Sequence, residues 1–100
     1  MGYAMNSDGA AGSDRTIIER VRRGDINAFA DLLNRYQAWV FAIVFKHVPP
    51  DRAKELAHDI FVEAYKALPT YRGTAEFRHW LAGIAVRQCW TLILHTARKN

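Results

Sequence analysis

Apolar residues in this chain of 100 residues recur at three- and four-residue spacings in four runs, and Gly24, Pro49–Pro50 and the stretch from Pro69 to Gly73 cut the runs apart. That spacing is the period of a helix burying one face, and nothing in the chain alternates as a half-buried strand would. The predicted fold is all-α, a compact bundle of about four helices. In "SDRTIIERVRRGD" (13–25), Ser13 or Asp14 is the expected N-cap, Ile17, Ile18 and Val21 the inner stripe, and Gly24 the stop. Asp25 is expected to cap a long second helix, striped by Phe29, Leu32, Leu33, Tyr36, Val40, Ile43, Val44 and His47 and ended by the two prolines. Asp51 is expected to cap the third, with Ala53, Leu56, Ala57, Ile60, Phe61, Ala64 and Leu68 inside. Thr74 is the expected cap of the fourth, whose stripe runs Phe77, Trp80, Leu81, Ile84, Ala85, Gln88 and Leu92.

A chain of this length supports one modest core. Half of it is hydrophobic and a quarter charged, the balance of an ordinary soluble domain. No apolar run nears the roughly 20 residues of a membrane span; "WVFAIVF" (39–45) is too short, so no membrane insertion is expected. Residues 1–12 lack a basic start and a continuous apolar stretch, read as a disordered or vector-derived tail, and leave 13–100 as the folded domain. The single Cys89 excludes an internal disulfide and a multi-thiolate metal site, fits a reducing compartment, and makes the cytoplasm the default. No cofactor is expected. The net charge is +4, and residues 71–100 hold five Lys/Arg against one Glu. Such an asymmetry suits a polyanion near the last helix, and suits solubility equally well.

Opposite its stripe, the third helix carries Glu55, His58, Asp59, Val62 and Lys66. An apolar residue amid charges is what protein docking needs, since charge orients and desolvated apolar area binds; a solvated face with one stray valine is the competing reading. Opposite the stripe of the last helix lie Gly83, Val86, Trp90, Ile93 and Leu94, so its second half is apolar all round and expects a partner or further chain to cover it. The connector "LPTYRGTAEFRHWL" (68–81) is broken by Pro69 and Gly73. Phe77 and Trp80 read as core plugs there. Tyr71 and Arg72 can equally plug a turn or stack on unpaired bases and hold phosphates.

With these parts in order, the sequence resembles region 2 of bacterial RNA polymerase sigma factors of the extracytoplasmic-function group, over residues 15 to about 92. Three stretches carry the resemblance: "VRRGDINAFADLLNRY" (21–36), "ELAHDIFVEAYKALPTYRG" (55–73) and "FRHWLAGIA" (77–85). It implies a non-enzymatic domain that binds core RNA polymerase and the minus-ten promoter element to start transcription. By the resemblance, Glu55, His58, Asp59, Val62, Glu63 and Lys66 dock on the clamp helices of the largest catalytic subunit. Tyr71, Arg72, Gly73, Thr74, Arg78, His79 and Arg87 meet the non-template strand. The connector is then irregular in order to hold an extruded base, and cationic in order to hold its phosphates. His58 and Asp59 stand where the family usually has glutamine and glutamate. "RQCWTLILHTARKN" (87–100) replaces an asparagine, an aspartate and an arginine run with apolar residues, which suits burial of Val86, Trp90, Ile93 and Leu94 by an anti-sigma factor or by another chain. The family's second domain, which reads the upstream promoter element, is not in the sequence, and an excised domain is the expectation.

Two rivals come from other classes. Glu55-x-x-His58 and Glu76-x-x-His79 have the spacing of di-iron carboxylate bundles. Both pairs lie opposite the apolar stripes, and the second helix has no glutamate to complete a ligand set. The other rival is a helical interaction or dimerisation module acting through Trp90, Ile93 and Leu94 with no DNA role.

Overall fold

A computed structural model describes residues 13–99 and holds four α-helices in that span: α1 (Asp14–Arg22), α2 (Ile26–Phe45), α3 (Pro50–Ala67) and α4 (Phe77–Lys99), with one 3-10 turn at Leu68–Thr70. The segment 1–12 lies outside the described residues. Local chemistry sets the ends of α1 and α2. The Ser13 hydroxyl accepts from the Thr16 N–H at 3.2 Å and caps α1. Gly24 turns the chain at φ 101°, a conformation other residues rarely adopt, and the Asp25 carboxylate then accepts from the Ala28 N–H at 3.3 Å to start α2.

Two expected caps are corrected. Extended Pro49 is the N-cap of α3 and Pro50 fills its first position, where a missing N–H costs nothing; Asp51 sits one step inside, facing the positive end of the helix dipole. At α4 the helix begins at Phe77, and the Glu76 carbonyl accepts from the N–H groups of His79 and Trp80 at 3.0 and 3.1 Å. Thr74 therefore belongs to the connector.

Central α2 packs against each of the other three helices, and α3 lies along α4. The core gathers Ile17, Leu32, Val40, Val44, Ile60, Leu68, Leu81 and Cys89, all sealed from water. Each such aliphatic side chain contributes about 1.5–3 kcal/mol relative to exposure. Every expected stripe residue of α1 and α3 is buried. In α4 the row Phe77, Leu81, Ile84 and Ala85 is buried and completed by Cys89, while Gln88 sits at the helix edge with its amide on the Glu63 carboxylate. A small thiol fits where α4 lies against its neighbours, and an amide needs a polar partner at the rim. Leu94 to Arg98 are all exposed, so the last turns of α4 run past the body of the bundle. None of the described helices is long and apolar enough to cross a membrane.

Candidate nucleic-acid interface and docking face

The connector is an aromatic hinge before it is anything else. The ring of Tyr71 meets Phe77 edge-on with centroids 5.7 Å apart and Trp80 at 5.2 Å, and Phe77 in turn meets Tyr36 of α2 at 5.5 Å. The hydroxyl of Tyr71 donates to the Ala75 carbonyl, closing the loop on itself. Tyr71 is thus half-buried and plugs the turn from below, while Arg72, Gly73 and Thr74 stand exposed above it. Gly73 reverses the chain at φ 80°, with no atom within 4 Å of where a Cβ would lie; the backbone angle, and not space, selects glycine. Burial raises the phenol pKa of Tyr71 above its ordinary value, the nearby Asp14 carboxylate adding to the effect.

One support for the connector comes from the far end of the sequence. The Arg22 guanidinium of α1 donates to the carbonyls of Tyr71 and, at 3.5 Å, of Leu68, while its other nitrogen pairs with Glu19 at 3.4 Å. Between α1, α2 and the connector lies an open groove of about 980 Å³, walled by Arg15, Glu19 and Arg22, by Arg35 and Tyr36, and by the loop from Tyr71 to Arg78. Five arginines face it against the carboxylates of Asp14, Glu19 and Glu76. Asp14 takes the Arg35 guanidinium at 2.7 Å and accepts from the Tyr36 hydroxyl. Burial and that hydrogen bond push the Tyr36 phenol well above its ordinary pKa. A cation-rich concavity with aromatic footing can receive phosphates and bases of an unpaired strand. The sequence reading missed Arg15, Arg22, Arg35 and Tyr36; the basic run "RVRR" (20–23) was the one available sign, and only the fold shows which loop it faces.

Further along α4, Arg78 and His79 are exposed, Arg78 lying over the ring of Trp39 on α2 at 5.5 Å and 3.7 Å from Glu76. Arg87 is exposed but committed to an ion pair with Glu63. Glu55, His58, Asp59 and Lys66 are exposed along the outer face of α3, with Val62 38 % exposed among them. Glu63 sits on the flank of that face toward α4, where it receives Arg87 and, at 2.6 Å, the Gln88 amide. Burial opposes its ionisation, yet those two hydrogen bonds win and hold its carboxyl below the ordinary range. On distal α4, Val86, Trp90 and Leu94 are exposed, the last two by 51 and 60 %, whereas Ile93 is half-buried against the core. Glu55, His58, Glu76 and His79 all face solvent, and among the described residues no group of three or more His, Cys, Asp or Glu is placed to hold a metal ion.

This helical architecture is shared with known transcription initiation domains. The chain matches the Sigma-70 region 2 family over residues 32–99 and belongs to that family. It is 34 % identical over 87 residues to the ECF RNA polymerase sigma-E factors of Escherichia coli K12 and Salmonella typhimurium, and 34 % identical over 74 residues to that of Haemophilus influenzae. Those alignments cover 87 % of this chain for the first two and 74 % for the third, but 46 % and 39 % of the relatives, so the chain spans somewhat less than half their length. The fold superposes on the NMR structure of an engineered region 2 of sigmaE in complex with GTAAAA, with a TM-score of 0.82, 32 % identity, and coverage of 87 % of this chain and 92 % of that one.

Proposed function

We propose that this chain is a sigma factor domain of the extracytoplasmic-function group that docks on core RNA polymerase and captures the unpaired non-template strand of the minus-ten element. Its work is binding, with no bond made or broken in either partner. The observation that carries this reading is the groove beside the connector, cationic on three walls and footed on Tyr71, in a fold shared with a domain solved in complex with GTAAAA. Arg72, Gly73, Thr74 and Arg78 line the groove, with Tyr71 fixing the loop that presents them. His79 and Arg87 lie farther along α4, with Arg87 held by Glu63 until a strand competes for it.

The docking surface is the outer face of α3, where Glu55, His58, Asp59 and Lys66 surround Val62 and Glu63 supports the edge. Its partner is a pair of helices in the largest catalytic subunit of the polymerase, with charge setting orientation and the desolvated valine adding affinity. Val86, Trp90 and Leu94, with Ile93 beneath, form the surface assigned to an anti-sigma factor, and the site of action is the cytoplasm.

Core polymerase retained on the immobilised chain tests the reading. Wild-type protein should retain it and Asp59→Arg should not, because reversed charge at a docking face repels the partner. Equal retention by both variants overturns docking through α3. Fluorescence anisotropy with single-stranded GTAAAA at several salt concentrations tests the second half. Affinity should fall with salt by about 0.7 log units per log unit for each phosphate held.

A further inference from the structure

We propose that Trp39 and Arg78 form a stacking platform for one unpaired base, adjoining the connector groove but separate from the Tyr71 cluster. The proposal rests on the DNA-capture reading and extends it to a residue of α2 that no motif marked. Arg35, Tyr36 and Trp39 follow one another at helical spacing, so the row that walls the groove continues outward onto Trp39. Trp39 does not belong to the core. It is 37 % exposed, a large aromatic left facing water on a helix that seals Val40 next to it.

What lies over its ring is a cation. The Arg78 guanidinium stands 5.5 Å from the Trp39 centroid, and its side chain is 53 % exposed, so one side rests on the indole and the rest is open. A guanidinium seated on an aromatic ring loses few conformations when a base arrives, and it offers a flat cationic surface for stacking and N–H groups for a phosphate. Arg78 also borders the groove through the connector side. A strand that leaves the groove on the Arg78 side brings the base next to the extruded one onto the Arg78–Trp39 stack. Glu76, 3.7 Å from Arg78, keeps the side chain oriented in the free protein and is exposed enough to yield to a phosphate. In this arrangement Arg78 touches the nucleotide and Trp39 positions Arg78.

The test uses the full chain and a fluorescein-labelled single strand, GTAAAA flanked by two thymidines on each side. Trp39→Ala should weaken binding roughly five- to tenfold, the scale of one lost base stack, and Trp39→Phe should restore most of it. Arg78→Ala should weaken it at least as much, and the double variant should be no worse than Arg78→Ala alone, because the tryptophan acts through the arginine. Thermal unfolding of Trp39→Ala within a few degrees of wild type, together with the rescue by phenylalanine, separates positioning from a folding defect. Arg72→Ala is the control for the groove itself. If Arg72→Ala weakens binding while Trp39→Ala does not, the platform is overturned and groove capture stands; strictly additive losses in the double variant likewise overturn it. If the wild-type chain does not bind the strand, or if neither variant changes its binding, the capture reading falls and the platform falls with it.

Discussion

Glu63 on α3 and Arg87 on α4 are joined by an ion pair that ties the helix proposed to dock on polymerase to the helix proposed to meet DNA, with Gln88 donating to the same carboxylate. Arg87 is exposed, so solvent screens the pair, and such pairs contribute roughly 0.2–1 kcal/mol. The folded-state pKa of Glu63 lies below its ordinary 4.5, so the contribution is complete above that value and lost as pH falls through the lower folded value. Glu63→Ala should therefore melt a few degrees below wild type at neutral pH, with the gap closing in strong acid. The pair also occupies Arg87. Arg87→Ala should cost little DNA affinity in the wild-type background and more in Glu63→Gln, where the guanidinium is released; equal costs in both would show that Glu63 does not hold Arg87 back.

Tyr36 has its hydroxyl on Asp14, and burial plus that bond raise its pKa above the ordinary 10.0. A raised folded pKa means a contribution fully present below pH 10 and lost as pH rises beyond it. Titrating tyrosine absorbance from pH 9 to 11 on folded protein should give the same amplitude for wild type and Tyr36→Phe, because Tyr36 does not ionise there. A smaller amplitude for the variant would place Tyr36 in free solution. Tyr36→Phe should also lose about 1.5–3 kcal/mol, the net worth of a hydrogen bond to a charged group.

Much of the fold was legible because four amphipathic stripes leave a bundle little choice. Ile17, Ile18, Val21 and the whole α3 row from Ala53 to Leu68 are buried where helical spacing puts them. The exceptions are local. Caps shifted at Pro49 and Glu76 because proline and a backbone carbonyl did work that a side chain was expected to do. Cys89 replaced Gln88 because period alone does not say which of two adjacent residues faces in, whereas the polarity of Glu63 across the helix interface does. The site was legible only in part. Residues of the connector could be named from its breakers and aromatics, but the contacts of Arg22 with Leu68 and Tyr71 span 46 and 49 positions. No periodicity encodes a contact between a helix flank and a distant loop.

Cys89 reports on the integrity of the core. Its thiol is sealed from solvent, and burial raises its pKa, so thiolate is scarce and access is closed. Labelling by a water-soluble disulfide reagent at pH 8 should be slow in native protein and fast in denaturant. The native rate should rise as core substitutions destabilise the fold: Ile60→Ala should cost about 2–5 kcal/mol and accelerate labelling about thirtyfold to several-thousandfold, by the increased population of open states. A labelling rate unchanged between native and denatured protein would mean that Cys89 is not enclosed.

Arg22 offers the sharpest separation between holding the loop and holding the strand. Its guanidinium bonds the backbone carbonyls at both ends of the segment Leu68–Tyr71, so its removal takes the donor from the Tyr71 carbonyl, leaves the Leu68 carbonyl to the Tyr71 N–H at 3.0 Å, and frees the connector of α1. Hydrogen bonds from a charged group contribute about 1.5–3 kcal/mol, and part of that should appear as local loosening and not as global unfolding. In Arg22→Ala, amide exchange should quicken from Tyr71 to Glu76 while exchange in the α3 row around Ile60 keeps most of its protection. Affinity for single-stranded GTAAAA should fall through a slackened loop, and Arg22→Lys, which keeps the charge but not the rigid planar donor, should recover part of it. The salt dependence separates the roles: a brace leaves the slope of log affinity against log salt unchanged, whereas loss of a phosphate contact lowers its magnitude by about 0.7. A reduced slope with undisturbed exchange in the connector would assign Arg22 to the strand instead.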